Sequence, residues 1–242
     1  MLYNLTLDIG NTWIKGAYFD QESKIVYDFR TKNINSKFYK EINQASYPID
    51  RAIISNVRKI DTEEISIKAN EVLTMNYELK YPFTSVYSSP ETLGTDRVCA
   101  VAGAMEKFPN NPILVITAGT CLTYNFLNQS NQFLGGAISP GLSMRYRALS
   151  SFTGKLPLIS HNKFESIIGM DTEECILSGV QFGLIHEVEG AINEYIAMYP
   201  DLKVLMTGGA TVFFENRLKN KIFADQSLIF KGLNAIIKLN VK

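Results

Sequence analysis

Little in this sequence points to metal or disulfide chemistry. Cysteine appears at Cys99, Cys121 and Cys175, an odd number at wide spacing with no Cys-x-x-Cys. That pattern excludes a disulfide framework and a zinc knuckle, and the three read as buried thiols in a reducing cytosol. Only His161 and His186 represent histidine, without metal-ligand spacing and far along the chain from the glycine turns described below. A histidine-based triad or zinc site is therefore not expected. The chain also lacks net charge, with 24 basic and 24 acidic residues, so no global field attracts nucleic acid or anionic lipid. Its densest basic run, Arg217-Leu218-Lys219-Asn220-Lys221, reads as a solvated helix end rather than a binding patch. No apolar stretch reaches ~18 residues, and the N-terminus enters a strand without a signal peptide. These absences lead to the expectation of a cytoplasmic protein with neither nucleic acid nor membrane as partner. Low-complexity linkers and coiled-coil heptads are missing too.

What is present is a globular composition, 46% hydrophobic and 20% charged, long enough for two domains each with its own core. The most informative stretch is Asp8-Ile9-Gly10-Asn11-Thr12-Trp13-Ile14-Lys15, which returns in altered form half a chain later as Thr117-Ala118-Gly119-Thr120-Cys121-Leu122-Thr123. Each copy lies between apolar runs and so reads as strand, tight turn, strand. Gly10 and Gly119 let successive backbone N–H groups converge on one point, Thr12 and Thr120 add hydroxyl donors, and Asp8 offers a hard oxygen to Mg²⁺ or its water. Either copy alone is also compatible with an ordinary hairpin containing Asx and Ser/Thr turns. Two copies imply two similar domains facing each other, with a nucleotide between them.

The first half reads as strands at Leu2–Leu7, Trp13–Phe19 and Lys24–Phe29, a helix near Ser36–Gln44 and a strand at Arg51–Val57. A helix near Thr62–Leu73 and a short strand near Tyr77–Tyr81 follow, giving the β-β-β-α-β-α-β order of a ribonuclease H-like or actin-like domain. The second half repeats the opening with Ile113–Ile116, Leu122–Leu127 and Phe133–Ile138, a helix near Leu142–Leu149 and a helical tract from Thr172 to about Met198. The expected fold is α/β, two such domains at 1–109 and 110–242 with mixed sheets flanked by helices. The helix Thr95–Lys107 connects them, ended by Pro109-Asn110-Asn111-Pro112.

Gly94-Thr95-Asp96-Arg97 opens that helix and supplies backbone donor, hydroxyl, base and cation to one small anionic substrate. The same residues also fit a plain cap, with Thr95 or Asp96 capping and Arg97 on the surface. Gly135-Gly136-Ala137-Ile138-Ser139-Pro140-Gly141 is too rich in Gly and Pro for a packed strand and reads as a loop near a ligand. Lys203–Met206 runs into Thr207-Gly208-Gly209, either a plain turn or a strand-to-helix junction where a ligand approaches the backbone. At Gly169-Met170-Asp171-Thr172-Glu173-Glu174 a helix begins, with Asp171 or Thr172 as cap.

In this order, DIGNTWIK, Tyr87, GTDR, the second glycine turn, the Gly135–Gly141 stretch, Thr153-Gly154-Lys155-Leu156-Pro157, GMDTEE and TGG resemble type III pantothenate kinase of the actin-like and sugar-kinase superfamily. The resemblance runs from Asp8 to Gly209. It implies phosphorylation of the 4′-hydroxyl of pantothenate by ATP, the first step of coenzyme A synthesis, in a homodimer with active sites at the interface. It also implies that Asp8, Ile9, Gly10, Asn11, Thr12, Trp13, Ile14 and Lys15 hold the ATP phosphates and magnesium. Thr120, Gly208 and Gly209 contact the nucleotide, Asp96 is the catalytic base, and Tyr87, Gly94, Thr95, Arg97 and Thr172 surround pantothenate.

One departure from the family pattern concerns a monovalent cation, K⁺ or NH₄⁺. The family's second turn begins with a cation-binding Asp and often has another at its end, whereas this chain has Thr117 and Asn125. Either the cation is held by neutral oxygens at Thr117, or a side-chain cation takes its place, or the site works without one. A non-catalytic or regulatory homologue and another small-molecule kinase on the same fold are the rival expectations. Asp8, Lys15, Asp96 and Arg97 speak against the first; Tyr87 and GTDR speak against the second.

Overall fold

The computed structural model describes residues 1–58 and 60–240. In chain order the elements are β1 (Tyr3–Ile9), β2 (Ile14–Phe19), β3 (Ile25–Thr31), α1 (Ser36–Ile42), β4 (Ile49–Asn56), β5 (Ala69–Thr74), β6 (Thr84–Ser85) and α2 (Thr95–Lys107). They continue with β7 (Ile113–Ala118), β8 (Cys121–Leu127), β9 (Gln132–Pro140), α3 (Leu142–Ser151), α4 (Thr172–Met198), β10 (Lys203–Thr207), α5 (Thr211–Phe214), β11 (Phe223–Ala224) and α6 (Leu228–Leu239). One compact unit comprises Met1–Asn110, Leu127–Gly135 and the chain from Ser227 on; the other comprises Asn111–Phe126 and Gly136–Gln226. The first unit thus takes back two later segments that a simple division at 109/110 assigns elsewhere.

The sheet of the first unit has the order β3-β2-β1-β4-β5, antiparallel from β3 to β1 and parallel from β1 to β5. Leu5, Leu7 and Ile9 of β1 are fully buried, as a central strand covered on both faces requires. On one face they join Phe38 and Ile42 of α1 and Ile54 of β4. Elsewhere in this unit Ala17 and Phe19 of β2 meet Phe230 of α6. The other sheet has the order β11-β10-β7-β8-β9-β6. Within it β9-β8-β7-β10-β11 repeats the first sheet's order with β7 in the place of β1, the architectural form of the repeat seen in the sequence. Its core sets Leu114 and Ile116 of β7 and Leu122 and Phe126 of β8 against Leu184, Val188 and Ile192 of α4. These are the two ribonuclease H-like halves expected from the pattern.

Several local expectations are corrected. No helix forms at 62–73; Ala69–Thr74 is instead strand β5, parallel to β4, with side chains alternating in and out. Open ladder positions on β4 outweigh the weak helical preference of this stretch. The strand expected at 77–81 is a turn, in which Glu78 N–H donates to Asn76 Oδ1 at 2.9 Å. The Gly135–Gly141 stretch is not a loop, because β9 continues to Pro140. Gly136 makes this possible: it has φ +150, and a Cβ there would lie 1.9 Å from the Tyr124 carbonyl oxygen. Of the cysteines only Cys99 is buried, while Cys121 is half-buried and Cys175 exposed. The basic run at 217–221 is not a helix end, since α5 stops at Phe214 and Arg217 donates to Gln181 Oε1 at 2.8 Å.

Helices α2 and α6 cross at two glycines. A Cβ on Gly103 would lie 2.1 Å from the Leu228 carbonyl oxygen, and one on Gly232 would lie 1.8 Å from that of Cys99. In an isolated helix Gly→Ala gains about 1 kcal/mol. Here the backbone overlap reverses the sign, so Gly103→Ala and Gly232→Ala are each expected to destabilise by about 1 to 3 kcal/mol in urea unfolding. Equal or greater stability in either variant contradicts this packing.

Candidate active site

In the first unit β1 reverses into β2 through residues 10–13. Gly10 N–H donates to Trp13 O at 3.0 Å, and a Cβ on Gly10 would stand 3.3 Å from that oxygen, so the turn is tight. Buried Ile9 and Ile14 pair across the two strands and fix both ends, leaving Asn11 and Thr12 exposed at the tip. One step inward, Asp8 is opposite Lys15 on β2 and Ser55 on β4. Asp8 is 7% exposed, and its Oδ1 has no hydrogen-bond partner among the described residues. Burial is the main reason its carboxyl is pushed up to about 7, and the Asp96 charge adds to it; Lys15 and Arg58 pull the other way.

Gly94, not Thr95 or Asp96, is the N-cap of α2, and no side chain caps the helix. Asp96 Oδ1 instead accepts the Arg97 N–H at 2.9 Å, and a Cβ on Gly94 would lie 2.7 Å from that same oxygen. Thr95 Oγ1 is 2.9 Å from Ser55 Oγ, which ties the start of α2 to the end of β4 beside Asp8. Burial raises the Asp96 carboxyl above its ordinary value, opposed by the Arg97 N–H and then the Arg97 charge. Arg97 itself is buried rather than on the surface, its Cζ 5.8 Å from the centre of the Tyr87 ring. Tyr87, Gly94, Thr95, Asp96 and Arg97 are thus held together at one helix start, within electrostatic reach of Asp8. Such a cluster can orient an anion and accept a proton.

In the other unit the second turn keeps the same device. Gly119 N–H donates to Cys121 O at 3.0 Å, and Thr120 O accepts Gly141 N–H at 3.1 Å. Thr117 Oγ1 is buried with no hydrogen-bond partner among the described residues. Asn125 is fully buried, and its Nδ2 donates to Thr123 Oγ1 at 3.1 Å. Gly208 has φ +102, and a Cβ there would lie 2.4 Å from the Ala118 carbonyl oxygen, so the Gly208-Gly209 turn lies against the end of β7. Thr172 is exposed at the first position of α4. The cap is Asp171, whose Oδ1 accepts Glu174 N–H at 2.8 Å while Glu174 Oε2 accepts Met170 N–H at 2.8 Å.

Three residues at the first turn escape a reading of the motifs: Ser55, Arg58 and Cys99. Arg58 Nε donates to Gly10 O at 2.6 Å. The Cys99 thiol is buried, and burial followed by the charges of Asp8 and Asp96 pushes it up. The available signals were a polar Ser-Asn pair ending an apolar strand and a cysteine one helical turn beyond Asp96. Among the described residues no cluster of three His, Cys, Asp or Glu side chains could hold a metal ion by itself.

A family model of type III pantothenate kinase matches residues 4–194. The chain is 42% identical to a type III pantothenate kinase of Bacteroides fragilis over 244 residues, covering 98% of each chain. To the type III pantothenate kinase of Christiangramia forsetii it is 36% identical over 239 residues, again covering 98% of each. Among solved structures, a candidate 2-dehydro-3-deoxygalactonokinase of Sinorhizobium meliloti superposes with a TM-score of 0.60 at 12% identity, covering 98% of this chain and 96% of that one. At that identity the likeness concerns the fold, that of the actin-like and sugar-kinase proteins.

The raised carboxyl of Asp8 sets a pH dependence. Unfolded, it ionises near 3.8, and folded near 7, so between these values the folded state holds the extra proton. Rising pH through this window therefore weakens the metal- and nucleotide-free protein. Asp8→Asn is expected to melt about 4 to 8 °C above wild type at pH 8, the scale of ~2 kcal/mol in a chain of this length, with a gap that closes towards pH 4. No gap at pH 8, or one insensitive to acid, contradicts this.

Proposed function

We propose a residue-level mechanism for this chain, which belongs to the type III pantothenate kinase family and phosphorylates pantothenate with ATP in the first step of coenzyme A synthesis. The observation that carries the mechanism is the half-buried Asp96 carboxylate at the start of α2, close enough to Asp8 for its charge to raise that group. Asp96 orients the 4′-hydroxyl of pantothenate and accepts its proton as the oxygen attacks the γ-phosphorus. The bond from that phosphorus to the bridging oxygen breaks, and ADP leaves. Phosphoryl transfer depends mostly on positioning and charge neutralisation, which suits a neutral protein with one local anion site.

Asp8, Ile9, Gly10, Asn11, Thr12, Trp13, Ile14 and Lys15 form the cradle for the ATP phosphates, with Lys15 as its fixed positive charge. The unpartnered Oδ1 of Asp8 fits Mg²⁺ or its bound water, the remaining ligands coming from phosphate and water. When bound, Mg²⁺ neutralises charge on the transferring group. Thr120, Gly208 and Gly209 contact the nucleotide. Tyr87, Gly94, Thr95, Arg97 and Thr172 surround pantothenate, and the buried Arg97 guanidinium answers its carboxylate. The enzyme works as a homodimer, supported by the exposed apolar side chains Phe152, Ile167, Ile168 and Met170. It works in the cytoplasm, a reading supported by three free cysteines. No helix among the described residues is long and apolar enough to cross a membrane.

Asp96→Asn is expected to keep the fold and ATP binding while kcat falls by about 10² or more. Turnover near wild type removes Asp96 from this role. At Thr117 a hydroxyl stands where relatives of the family carry a carboxylate, so the rate depends only weakly on a monovalent cation. Exchanging K⁺ for a bulky organic cation at constant ionic strength should leave the rate within about threefold, and Thr117→Asp should increase the dependence. A steep, saturable K⁺ requirement in wild type contradicts this.

A further inference from the structure

Arg58 follows β4 on a short turn built by its neighbours. Asn56 Oδ1 accepts the Arg58 N–H at 2.9 Å, and Asn56 Nδ2 donates to Ile60 O at 2.7 Å. The backbone of this turn is tied to β1, since Val57 N–H donates to Ile9 O at 3.1 Å. From that fixed base the guanidinium reaches two loops: Nε donates to Gly10 O at 2.6 Å and Nη1 to Lys32 O at 3.2 Å. The Lys32 side chain returns to the first loop, its Nζ 5.1 Å from the centre of the Trp13 ring, with Arg30 Cζ also 5.1 Å from it. Gly10, Arg58, Lys32 and Trp13 therefore form a closed ring of contacts around the turn.

We propose that Arg58 is a positioning residue for ATP, holding the Gly10 peptide so that the turn presents its amide donors to phosphate. The peptide unit is planar and trans, so its C=O and the following N–H point in opposite directions. Holding the Gly10 carbonyl towards Arg58 fixes the Asn11 N–H away from it, towards the open side of the turn. A glycine-containing turn with an exposed tip otherwise samples several peptide orientations. A lysine at this position keeps the charge but not the planar fork that reaches two carbonyls in fixed geometry. The proposal rests on the reading of residues 8–15 as the phosphate cradle.

Trp13 is the chain's single tryptophan and lies in the turn itself, so its fluorescence reports the clamp without any ligand. Arg58→Met and Arg58→Lys are compared with wild type by acrylamide quenching of Trp13, by calorimetric titration with Mg-ATP, and by steady-state kinetics. Both variants are expected to show quenching raised by about twofold. Mg-ATP affinity should fall about tenfold or more in Arg58→Met and several-fold in Arg58→Lys, the scale of a lost charge-assisted hydrogen bond, with the pantothenate KM within about twofold of wild type. A merely structural role lowers the melting temperature but leaves Mg-ATP affinity unchanged in a folded variant, and that result overturns the proposal. If Arg58→Met does not fold, Arg58→Lys decides by the same measures. Failure of wild type to bind Mg-ATP would instead defeat the phosphate-cradle reading, while the quenching comparison would still report whether Arg58 holds the turn.

Discussion

Holding the Asp8 carboxyl out of water near the end of the central strand of its sheet is the constraint on which the surrounding structure depends. A carboxylate moved from water into such a place costs several kcal/mol unless something answers its charge. Here Lys15 across the β1–β2 ladder and Arg58 answer it in part, while Asp96 adds to the cost. An apolar residue at position 8 would pack at no such penalty. The carboxyl is therefore a group that packing alone does not account for, and its cost is only partly offset by Lys15 and Arg58.

The fold around Asp8 serves this arrangement. Three strand ends meet there, because β1 lies between β2 and β4, and each contributes one polar residue at the same level: Asp8, Lys15 and Ser55. Ser55 passes the register on to Thr95 and so to the first turn of α2, which brings Asp96 and Arg97 to the site. The helix is itself held by α6, from the far end of the chain, through backbone contact at Gly103 and Gly232. A substitution at that crossing thus bears on the placement of Asp96 from a distance.

Much of the site was legible because it is made from short motifs whose chemistry is local. A glycine turn between apolar strands, a Gly-Thr-Asp-Arg helix start and the Asp171–Glu174 cap each specify their own geometry within a few residues. What escaped depends on partners distant in sequence. Ala69–Thr74 becomes a strand only because β4 offers it a parallel edge, and β9 needs glycine at Gly136 because the Tyr124 carbonyl lies where a side chain would. Arg58 carries no motif: its role comes from reaching the carbonyls of Gly10 and Lys32, far from it along the chain. Arg97, read locally as a surface cation or a substrate ligand, is likewise buried, with Tyr87 beside it.

The central claim is that this site moves the γ-phosphoryl group of ATP to pantothenate. The most direct measurement is incubation of the purified protein with pantothenate and Mg-ATP labelled in the γ-phosphate, with products separated and counted. The account predicts label in 4′-phosphopantothenate, one equivalent for each ADP formed, and little ADP when pantothenate is omitted. ADP formed without labelled phosphopantothenate, or no turnover with K⁺ or NH₄⁺ present, would contradict it.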